Sequence, residues 1–446
     1  MFKKFYFKLE LIRHYWRRYY IYVILGTTLG SLLVFFASPI AAFVIKQLPE
    51  PATTYGLAGL YTIRNLPPQV SQNISFGLMT ESPTNRPEPT LLTKSISISP
   101  DGLTYRFELN PYTWQNGQRV LAQDLTNIYT INNASVTAPN DSTLLIQLEK
   151  PFSPLPSILT NPIFQNNQLI GVGDYRVTQS QFQDGYLKKL VLALKDNPKK
   201  KIIYRFYPSE NDLITAFKLG EIDTFSSNIE PKDVINWKNS QVSKEIDTSS
   251  RYIALFFNTD KLSRKQFRQS LSYATPKPRD KNERCLGPIS PQSWAFNPQT
   301  KEYNYNPTRA KELVDSEDPK KIVLSLATRD LLPEAEKIKQ AWGEILGITV
   351  DINTDISPNR DFEVLLSYGN MPLDPDQYAF WHSTQTKTNH THLNNSRIDK
   401  LLEEGRQTMD NLQRKQIYFD FQKYLLEEAP AVFISFPTRY TVSRLK

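Results

Sequence analysis

The longest apolar stretch of the chain covers residues 21–45 and reads IYVILGTTLGSLLVFFASPIAAFVI, with no charged side chain. An α-helix needs about 20 residues to cross the hydrocarbon core of a membrane, and in lipid it satisfies its own backbone hydrogen bonds. The N-terminal edge of the stretch carries aromatic side chains of the kind found at membrane interfaces, namely Tyr15, Trp16, Tyr19, Tyr20 and Tyr22. The pattern predicts one transmembrane helix at 21–45.

Positive charge is concentrated just before this stretch. The first eighteen residues contain six cationic side chains and one acidic side chain, Glu10; the cations are Lys3, Lys4, Lys8, Arg13, Arg17 and Arg18. Because basic segments stay in the cytoplasm, we expect residues 1–20 to be a cytoplasmic tail, with the chain after the helix outside the cell and the lipid bilayer as a partner. A cleaved signal peptide is the alternative, with small residues at Ala37 and Ala41 near a cleavage point.

Residues after the apolar stretch alternate between short strand-like and helix-like segments. Residues 47–60 read as a linker, and a strand is predicted near 73–79. Residues 103–109 (LTYRFEL) alternate apolar and polar side chains, which is typical of a strand with one buried face. A helix is predicted at 211–219, with Gly220 as its C-terminal cap.

From about residue 258 helices and strands alternate more regularly, which favours an α/β architecture. The predicted strands lie at 322–327, 348–352, 362–366 and 431–436, and the predicted helices at 264–274, 307–314, 333–346, 396–409 and 412–428. Asn306 and Pro307 form a helix start, and Gly347 a helix end. We therefore predict two lobes, one made of 51–258 plus 431–446 and the other of 259–430.

Net charge and reactive side chains exclude several classes of protein. The net charge of +8 resides mostly in the N-terminal tail, so no nucleic-acid partner is expected. The single cysteine, Cys285, cannot form an intrachain disulfide, and no metal-binding motif is present. His390 and His392 lie in a polar segment that reads as a loop. No nucleophile elbow, zinc motif or phosphate loop indicates an enzyme, and no cofactor is expected.

A set of short motifs in a fixed order resembles the extracellular solute-binding proteins of the peptide/nickel group, solute-binding family 5. The resemblance covers nearly all of residues 60–440. Its clearest pieces are SPDGLTYRFEL at 99–109, YTWQNGQRVLAQDL at 112–125, GVGDYRV at 171–177, LLSYGNMPLDPDQY at 365–378 and APAVFISF at 429–436. The resemblance implies a two-lobed periplasmic-binding-protein-like fold with an extra sub-lobe, here at about 78–165, whose lobes close over a ligand.

The same resemblance implies a function. The chain is expected to be the extracytoplasmic binding component of an ABC importer, to take oligopeptides or similar small polar solutes, and to dock on ABC permease subunits in the cell membrane. A non-transport surface receptor, adhesin or chaperone on the same fold is the alternative.

Candidate site residues also come from the resemblance. In peptide-binding members a Trp and, three residues later, an Asp precede an Asp-Pro step, and that Asp pairs with the α-amino group of the ligand. Here Tyr368 stands in the Trp place and Met371 in the Asp place, so Asp374 or Asp376 is the candidate replacement. The expected ligand-binding residues are Tyr368, Asn370, Met371, Asp374 and Trp381. Asn258 and Arg268 are expected to have a hinge or structural role.

Overall fold

The computed structural model describes the backbone of residues 2–47, 52–355 and 362–445. It contains one long N-terminal helix, α1 (Phe2–Gln47), and a larger α/β unit that begins at Thr53. The predicted transmembrane segment lies on α1, but the side chains at 33, 34 and 36–47 are outside the described residues. In the part of the chain that the structure describes, no helix combines the length and the apolar character needed to cross a membrane.

The α/β unit contains ten helices and eighteen strands in the described ranges. The helices are α2 (Pro68–Ile74), α3 (Ala122–Ile128), α4 (Leu155–Ile158), α5 (Glu210–Leu219), α6 (Lys265–Ala274), α7 (Pro307–Glu312), α8 (Leu332–Leu346), α9 (Tyr378–Trp381), α10 (Ser396–Gln407) and α11 (Asn411–Glu428). The strands are β1 (Thr53–Ala58), β2 (Met79–Glu81), β3 (Pro87–Pro89), β4 (Thr93–Ile98), β5 (Thr104–Leu109), β6 (Ala134–Asn140), β7 (Thr143–Leu148), β8 (Tyr175–Gln183), β9 (Tyr186–Leu194), β10 (Lys201–Tyr207), β11 (Thr224–Ser227), β12 (Ser240–Ile246), β13 (Arg251–Phe257), β14 (Lys321–Leu326), β15 (Thr349–Asn353), β16 (Val364–Asn370), β17 (Ala431–Ser435) and β18 (Thr438–Arg444).

These strands form two large sheets and two smaller ones. The seven-stranded sheet has the order β12-β18-β11-β1-β10-β9-β8, and the five-stranded sheet the order β15-β14-β16-β13-β17. Strands β4 to β7 form a separate antiparallel sheet, and β2 and β3 form a hairpin. The chain thus builds its largest sheets from segments that are far apart in sequence.

The five-stranded sheet is covered by helices on both faces, as the alternation along β13 shows. Leu255 and Phe257 pack in a core with α6 and α8, whereas Ala254 and Phe256 pack in a second core with α10 and α11. Because successive side chains of a strand point to opposite faces, one strand contributes to both cores. The result is a layered α/β arrangement.

Several predicted helix ends are confirmed. Gly220 ends α5 in a left-handed conformation with φ of 80°, as predicted; the cap at the start of α5, where Ser209 accepts a hydrogen bond from the Asp212 amide, was not predicted. Asn306 caps α7, which begins at Pro307, and Gly347 ends α8 with φ of 67°. A left-handed residue at this position favours glycine, so local sequence is sufficient to fix these ends.

Two local predictions are wrong. The segment 47–60 was expected to be a linker, but from Thr53 it forms β1, which runs parallel to both β10 and β11 inside the seven-stranded sheet. The strand expected near 73–79 is instead the end of α2, followed by extended chain that reaches β2 at Met79. Pro68 opens α2, where a missing amide hydrogen costs nothing, and buried Val70 and Ile74 hold it to the core.

The chain passes between the two large sheets at positions that differ from the expected lobe boundaries. Strands β13 and β17, which were expected in lobe one, both belong to the five-stranded sheet with the rest of lobe two. Strand β18 returns to the seven-stranded sheet, where it pairs with β11 and β12. The crossings therefore fall at 247–250 and 436–437 rather than near 258 and 431.

Candidate functional site

A tyrosine, an aspartate and an arginine lie close together at one end of the inner strands of the five-stranded sheet. Tyr368 lies near the end of β16 and its hydroxyl donates a hydrogen bond to Oδ2 of Asp330, at 2.6 Å. The guanidinium of Arg251, from the start of β13, lies 5.0 Å from the centre of the Tyr368 ring, within the range of a cation–π contact. Burial, followed by the bond to Asp330, raises the pKa of Tyr368 above its ordinary value.

Two polar side chains on the side of the seven-stranded sheet approach Tyr368, Asp330 and Arg251. Glu210 is the first residue of α5, and Tyr61 follows β1 and donates its hydroxyl proton to the carbonyl of Ala58 at 3.0 Å. Burial is the main cause of the raised pKa of Glu210. Hydrogen bonds with the Ser227 side chain and the Asn228 backbone oppose the shift, and the negative charge of Asp330 adds to it. Both Arg251 and Glu210 act electrostatically on the pKa of Tyr61, which burial raises.

These five side chains form what we call the cleft cluster: Tyr61, Glu210, Arg251, Asp330 and Tyr368. Tyr61 and Glu210 lie on the side of the seven-stranded sheet, and the other three lie on the side of the five-stranded sheet. Within the described residues, the Oε2 atom of Glu210 is buried and has no hydrogen-bond partner. Because a buried polar atom without a hydrogen bond costs free energy, this oxygen is available to accept a hydrogen bond from a ligand. Only Tyr368 of this cluster was among the residues that the sequence indicated.

The residues that follow Tyr368 separate into different environments. Asn370 is exposed at the end of β16 and lies opposite Arg251 in the strand pairing. Met371 is only 5 % exposed, its amide donates to the Ser250 carbonyl at 2.8 Å, and its side chain packs in the core beneath α10 and α11. A thioether there contributes to packing and cannot pair with an ammonium group.

Both candidate replacement carboxylates already have cationic partners. Asp374 accepts hydrogen bonds from both terminal nitrogens of Arg414, at 2.8 and 2.5 Å. Asp376 accepts one from Arg406 at 2.9 Å, and burial raises its pKa despite that neighbour. A carboxylate held by a guanidinium has little left to offer a ligand amine.

Trp381 lies in α9 and is 1 % exposed. Its indole N–H donates to the Gln377 side chain at 3.2 Å, and its ring packs in the same core as Met371. The structure therefore brings Tyr368 and Asn370 to the surface near the cleft cluster, and places Met371, Asp374 and Trp381 in packed surroundings.

The two residues expected to have a hinge or structural role hold elements of lobe two together. The Asn258 side chain donates to the Phe362 carbonyl at 3.1 Å and accepts from the Asp260 amide at 3.1 Å. Arg268 is buried, and its guanidinium donates to four backbone carbonyls, those of Leu262, Ser263, Glu428 and Ala429. Burial lowers the pKa of Arg268. Each residue bonds within the five-stranded sheet and its helices rather than at a crossing between the sheets.

The histidines and the cysteine have ordinary structural surroundings. His392 bonds through Nδ1 to Asp260 at 2.9 Å, and burial lowers the pKa of His390. Cys285 is fully buried, and burial raises the pKa of its thiol to about 12. Across the described ranges, no three His, Cys, Asp or Glu side chains are grouped so as to hold a metal ion.

A cavity of about 750 Å³ lies between the small antiparallel sheet and the helices α9 and α10. Phe152, Tyr378 and Arg406 line it, and the Arg406 guanidinium stacks 4.0 Å from the Tyr378 ring and 5.0 Å from the Phe152 ring. Its volume is within the range that small-molecule sites occupy, roughly 300–1,000 Å³. The small antiparallel sheet and the helices α9 and α10 therefore enclose a cavity where they meet.

Two large sheets with their helices, joined by two crossings and with polar side chains converging between them, define the class of two-lobed α/β folds. Solved structures agree. The ABC transporter substrate-binding protein CtaP from Listeria monocytogenes superposes with a TM-score of 0.74 at 21 % identity, over 89 % of this chain and 94 % of that chain. NikZ from Campylobacter jejuni, solved with Ni(L-His), gives 0.74 at 20 % identity over the same shares. At these identities the likeness shows the fold.

Sequence comparison gives the family. Residues 86–391, more than half of the chain, match the model of the family described as bacterial extracellular solute-binding proteins, family 5 (middle). This protein belongs to that family. The dipeptide-binding protein DppE of Bacillus subtilis (strain 168) is 22 % identical, over 82 % of each chain. The oligopeptide-binding protein AppA of the same strain is also 22 % identical, but that match spans 54 % of this chain and only 51 % of AppA.

Proposed function

We propose that this chain is the extracytoplasmic substrate-binding component of an ABC importer, and that it binds oligopeptides or similar small polar solutes at the cleft cluster. It acts as a binding protein rather than an enzyme, and closure of the two lobes retains the ligand. The lobes meet at the crossings 247–250 and 436–437. The names of relatives that bind oligopeptides and dipeptides support this substrate class.

One observation carries the proposal: polar side chains of opposite lobes converge at the cleft cluster, and one of them has an unused buried oxygen. The Tyr368 ring offers a surface on which a peptide group or side chain can stack. The carboxylates of Glu210 and Asp330 outnumber the single Arg251 cation, so the cluster favours a ligand with a positive group such as a free amino terminus. Glu210 then supplies the carboxylate that position 371 lacks.

Thermal unfolding of the full-length protein in detergent, with and without peptide pools of increasing length, tests the substrate class, and calorimetric titration then measures the affinity of the variants. A pool that contains a ligand at a hundredfold excess over its dissociation constant stabilises the fold by about 2.7 kcal/mol. We expect Tyr368→Ala to weaken binding by about tenfold or more, since an aromatic contact at the centre of a site contributes on the order of 2 kcal/mol.

The matched control is Tyr305→Ala, because Tyr305 is 50 % exposed and lies outside the cleft cluster. It is expected to bind like the unmodified protein. A protein that no peptide pool stabilises would contradict the substrate class, and equal binding by the two alanine variants would contradict the location of the site.

The amino-terminal preference has its own test. Glu210→Gln is expected to reduce affinity for a peptide with a free amino terminus, and to leave the affinity for its N-acetylated form nearly unchanged. The control is Glu221→Gln, because Glu221 is an exposed carboxylate that bonds Tyr207 in lobe one. Equal losses for both peptides would show that Glu210 does not receive the amine.

The anchoring of the binding unit is part of the proposal. The uncharged run 21–45 and the basic tail 1–20 support a single-pass helix with its N-terminus in the cytoplasm and the binding unit outside. Membranes that contain the full chain are expected to retain it through alkaline carbonate extraction, whereas a variant lacking residues 1–45 is released. Release of the full-length chain would contradict an integral anchor.

Membrane-embedded ABC permease subunits are the proposed partners, because family 5 is defined by extracellular solute binding and CtaP is described as an ABC transporter component. The proposed anchor is a single helix, which cannot form a transport pathway alone, so a ligand has to be passed to another protein. Co-purification of the full-length chain with permease subunits after crosslinking, increased by a bound peptide, is the expected result. Recovery without any permease would favour a receptor or adhesin role.

A further inference from the structure

The two crossings between the large sheets run side by side. The first, 247–250, joins β12 to β13, and the second, 436–437, joins β17 to β18. The amide of Asp247 donates a hydrogen bond to the carbonyl of Pro437 at 3.0 Å, so the crossings are bonded to each other directly. Any rotation of one sheet relative to the other changes the backbone at these few residues, as hinge motion requires.

The Asp247 side chain shapes the first crossing. Its Oδ1 atom accepts hydrogen bonds from the amides of Ser249, at 3.2 Å, and Ser250, at 3.0 Å. The Ser250 hydroxyl donates to Oδ2. These contacts with amides two and three residues further along form a local turn, in which a carboxylate is a strong acceptor.

The same carboxylate also reaches the strand that follows the second crossing. Oδ2 of Asp247 lies 3.2 Å from Nη2 of Arg439, the second residue of β18. The Asp247 side chain is 9 % exposed and that of Arg439 is 45 % exposed, so the pair is sheltered on one side only. Burial raises the pKa of Asp247, but the bonds from Ser250 and Ser249 and the charge of Arg439 outweigh it and lower that pKa overall.

Asp247 lies on the first crossing and Arg439 at the start of β18, so their contact joins these two segments rather than packing either sheet against its helices. Loss of their contact is therefore expected to change the relation between the lobes more than the stability of either lobe. Asn258 and Arg268, for which the sequence indicated a hinge or structural role, bond within lobe two.

We propose that Asp247 and Arg439 form a clasp across the two crossings, which sets the balance between open and closed arrangements of the lobes. The clasp rests on the proposed function only in that lobe closure retains the ligand. Asp247 fixes the turn of the first crossing, and Arg439 ties that turn to the start of β18. A ligand that closes the cleft moves both crossings together.

Distances between spin labels test the clasp in the full-length protein in detergent without ligand. Cysteines introduced at Gln181 in lobe one and Lys339 in lobe two, both exposed, carry the labels, and the native Cys285 is fully buried and stays unlabelled. Arg439→Gln removes the cation and leaves the turn around Asp247 in place. Loss of a half-exposed ion pair changes a population ratio by about two- to fivefold. We therefore expect the ratio of open to closed arrangements, read from the distance distribution, to change by about that factor.

The control is Lys218→Gln, because Lys218 pairs with Asp233 at 2.7 Å entirely within lobe one and is 37 % exposed. It is expected to leave the distances unchanged. A distribution for Arg439→Gln that superposes on that of the unmodified protein overturns the clasp, and so does an equal shift in the control. Since no peptide is present, the result is independent of whether the proposed substrate class is correct.

Discussion

Arg414 holds Asp374 through both of its terminal nitrogens, at 2.8 and 2.5 Å, and their side chains are 4 % and 10 % exposed. The positive charge of Arg414 also lies 5.5 Å from the ring of Trp294 and 5.3 Å from that of Tyr418. This ion pair thus fixes the loop that follows β16 to α11. This pairing explains why the carboxylate nearest to the missing amine-binding position is not free for a ligand.

Breaking this pair on one side is expected to be costly. Asp374→Asn leaves the Arg414 guanidinium buried with a neutral partner, and removal of one member of a buried ion pair typically costs 3–5 kcal/mol. We expect a loss of about that size in the free energy of unfolding, measured by urea denaturation of the full-length protein. Lys218→Gln, which breaks an exposed pair, is expected to cost about 1 kcal/mol or less. Equal losses in the two variants would contradict a buried bidentate pair.

Restoring the family's carboxylate at position 371 is expected to fail. The side chain of Met371 is buried in the same core as Trp381 rather than in the cleft cluster. Met371→Asp therefore buries an unpaired charge, and we expect it to destabilise the protein by several kcal/mol in thermal unfolding without raising affinity for free amino termini. Met371→Leu, which keeps the volume and the apolar character, is the control and is expected to cost less than about 1.5 kcal/mol. Tighter peptide binding by the Asp variant would show that this side chain reaches the ligand.

The raised pKa of Glu210 predicts a dependence of stability on pH. The folded protein holds this proton to a higher pH than the unfolded chain, so unfolding releases it, and the contribution of Glu210 to stability falls as pH rises above its ordinary pKa of 4.5. Glu210→Gln removes this dependence. We therefore expect the stability of the variant relative to the unmodified protein to increase between about pH 4 and pH 7.

Urea denaturation of both proteins at a series of pH values measures this difference. Glu221→Gln serves as the comparison, because the carboxylate of Glu221 lies at the surface of lobe one. A difference between Glu210→Gln and the unmodified protein that stays constant with pH would contradict the burial of Glu210 as the cause of its raised pKa.

The second glycine of the GVGDYRV motif is expected to tolerate no side chain. A Cβ at Gly173 would lie 2.8 Å from the carbonyl carbon and oxygen of Ile74 and 2.9 Å from the carbonyl oxygen of Asn73, and these backbone atoms cannot rotate away. Overpacking of this kind costs about 1–3 kcal/mol. Gly173→Ala is therefore expected to lower the melting temperature of the protein.

Gly343→Ala is the matched control in the helix α8, where the nearest atom to a new Cβ is the Ile348 carbonyl oxygen at 3.7 Å. Alanine in a helix interior is favoured over glycine by about 0.5–1 kcal/mol, so this variant is expected to be slightly stabilised. A stabilised Gly173→Ala would show that α2 yields at this contact.

Local sequence was sufficient for the elements whose ends and periodicity are set by neighbouring residues. The alternation in 103–109 predicted β5, and the glycines at 220 and 347 predicted the ends of α5 and α8, because a left-handed terminal residue and a half-buried strand depend on short-range sterics and solvation. The ordered motifs likewise predicted the family that the comparison shows.

Long-range pairing decided the rest. TTYGLA at 53–58 has no strong strand pattern, and it becomes a central strand because β10 and β11, each more than 140 residues away, supply its hydrogen bonds. The cleft cluster draws Tyr61, Glu210 and Arg251 from distant segments in the same way. Sequence by itself determined the family, the α/β class and the absence of an Asp at position 371. Only the tertiary structure decided that Asp374 and Asp376 are paired with arginines and that Oε2 of Glu210 is buried without a partner, because pairing depends on distances that folding creates.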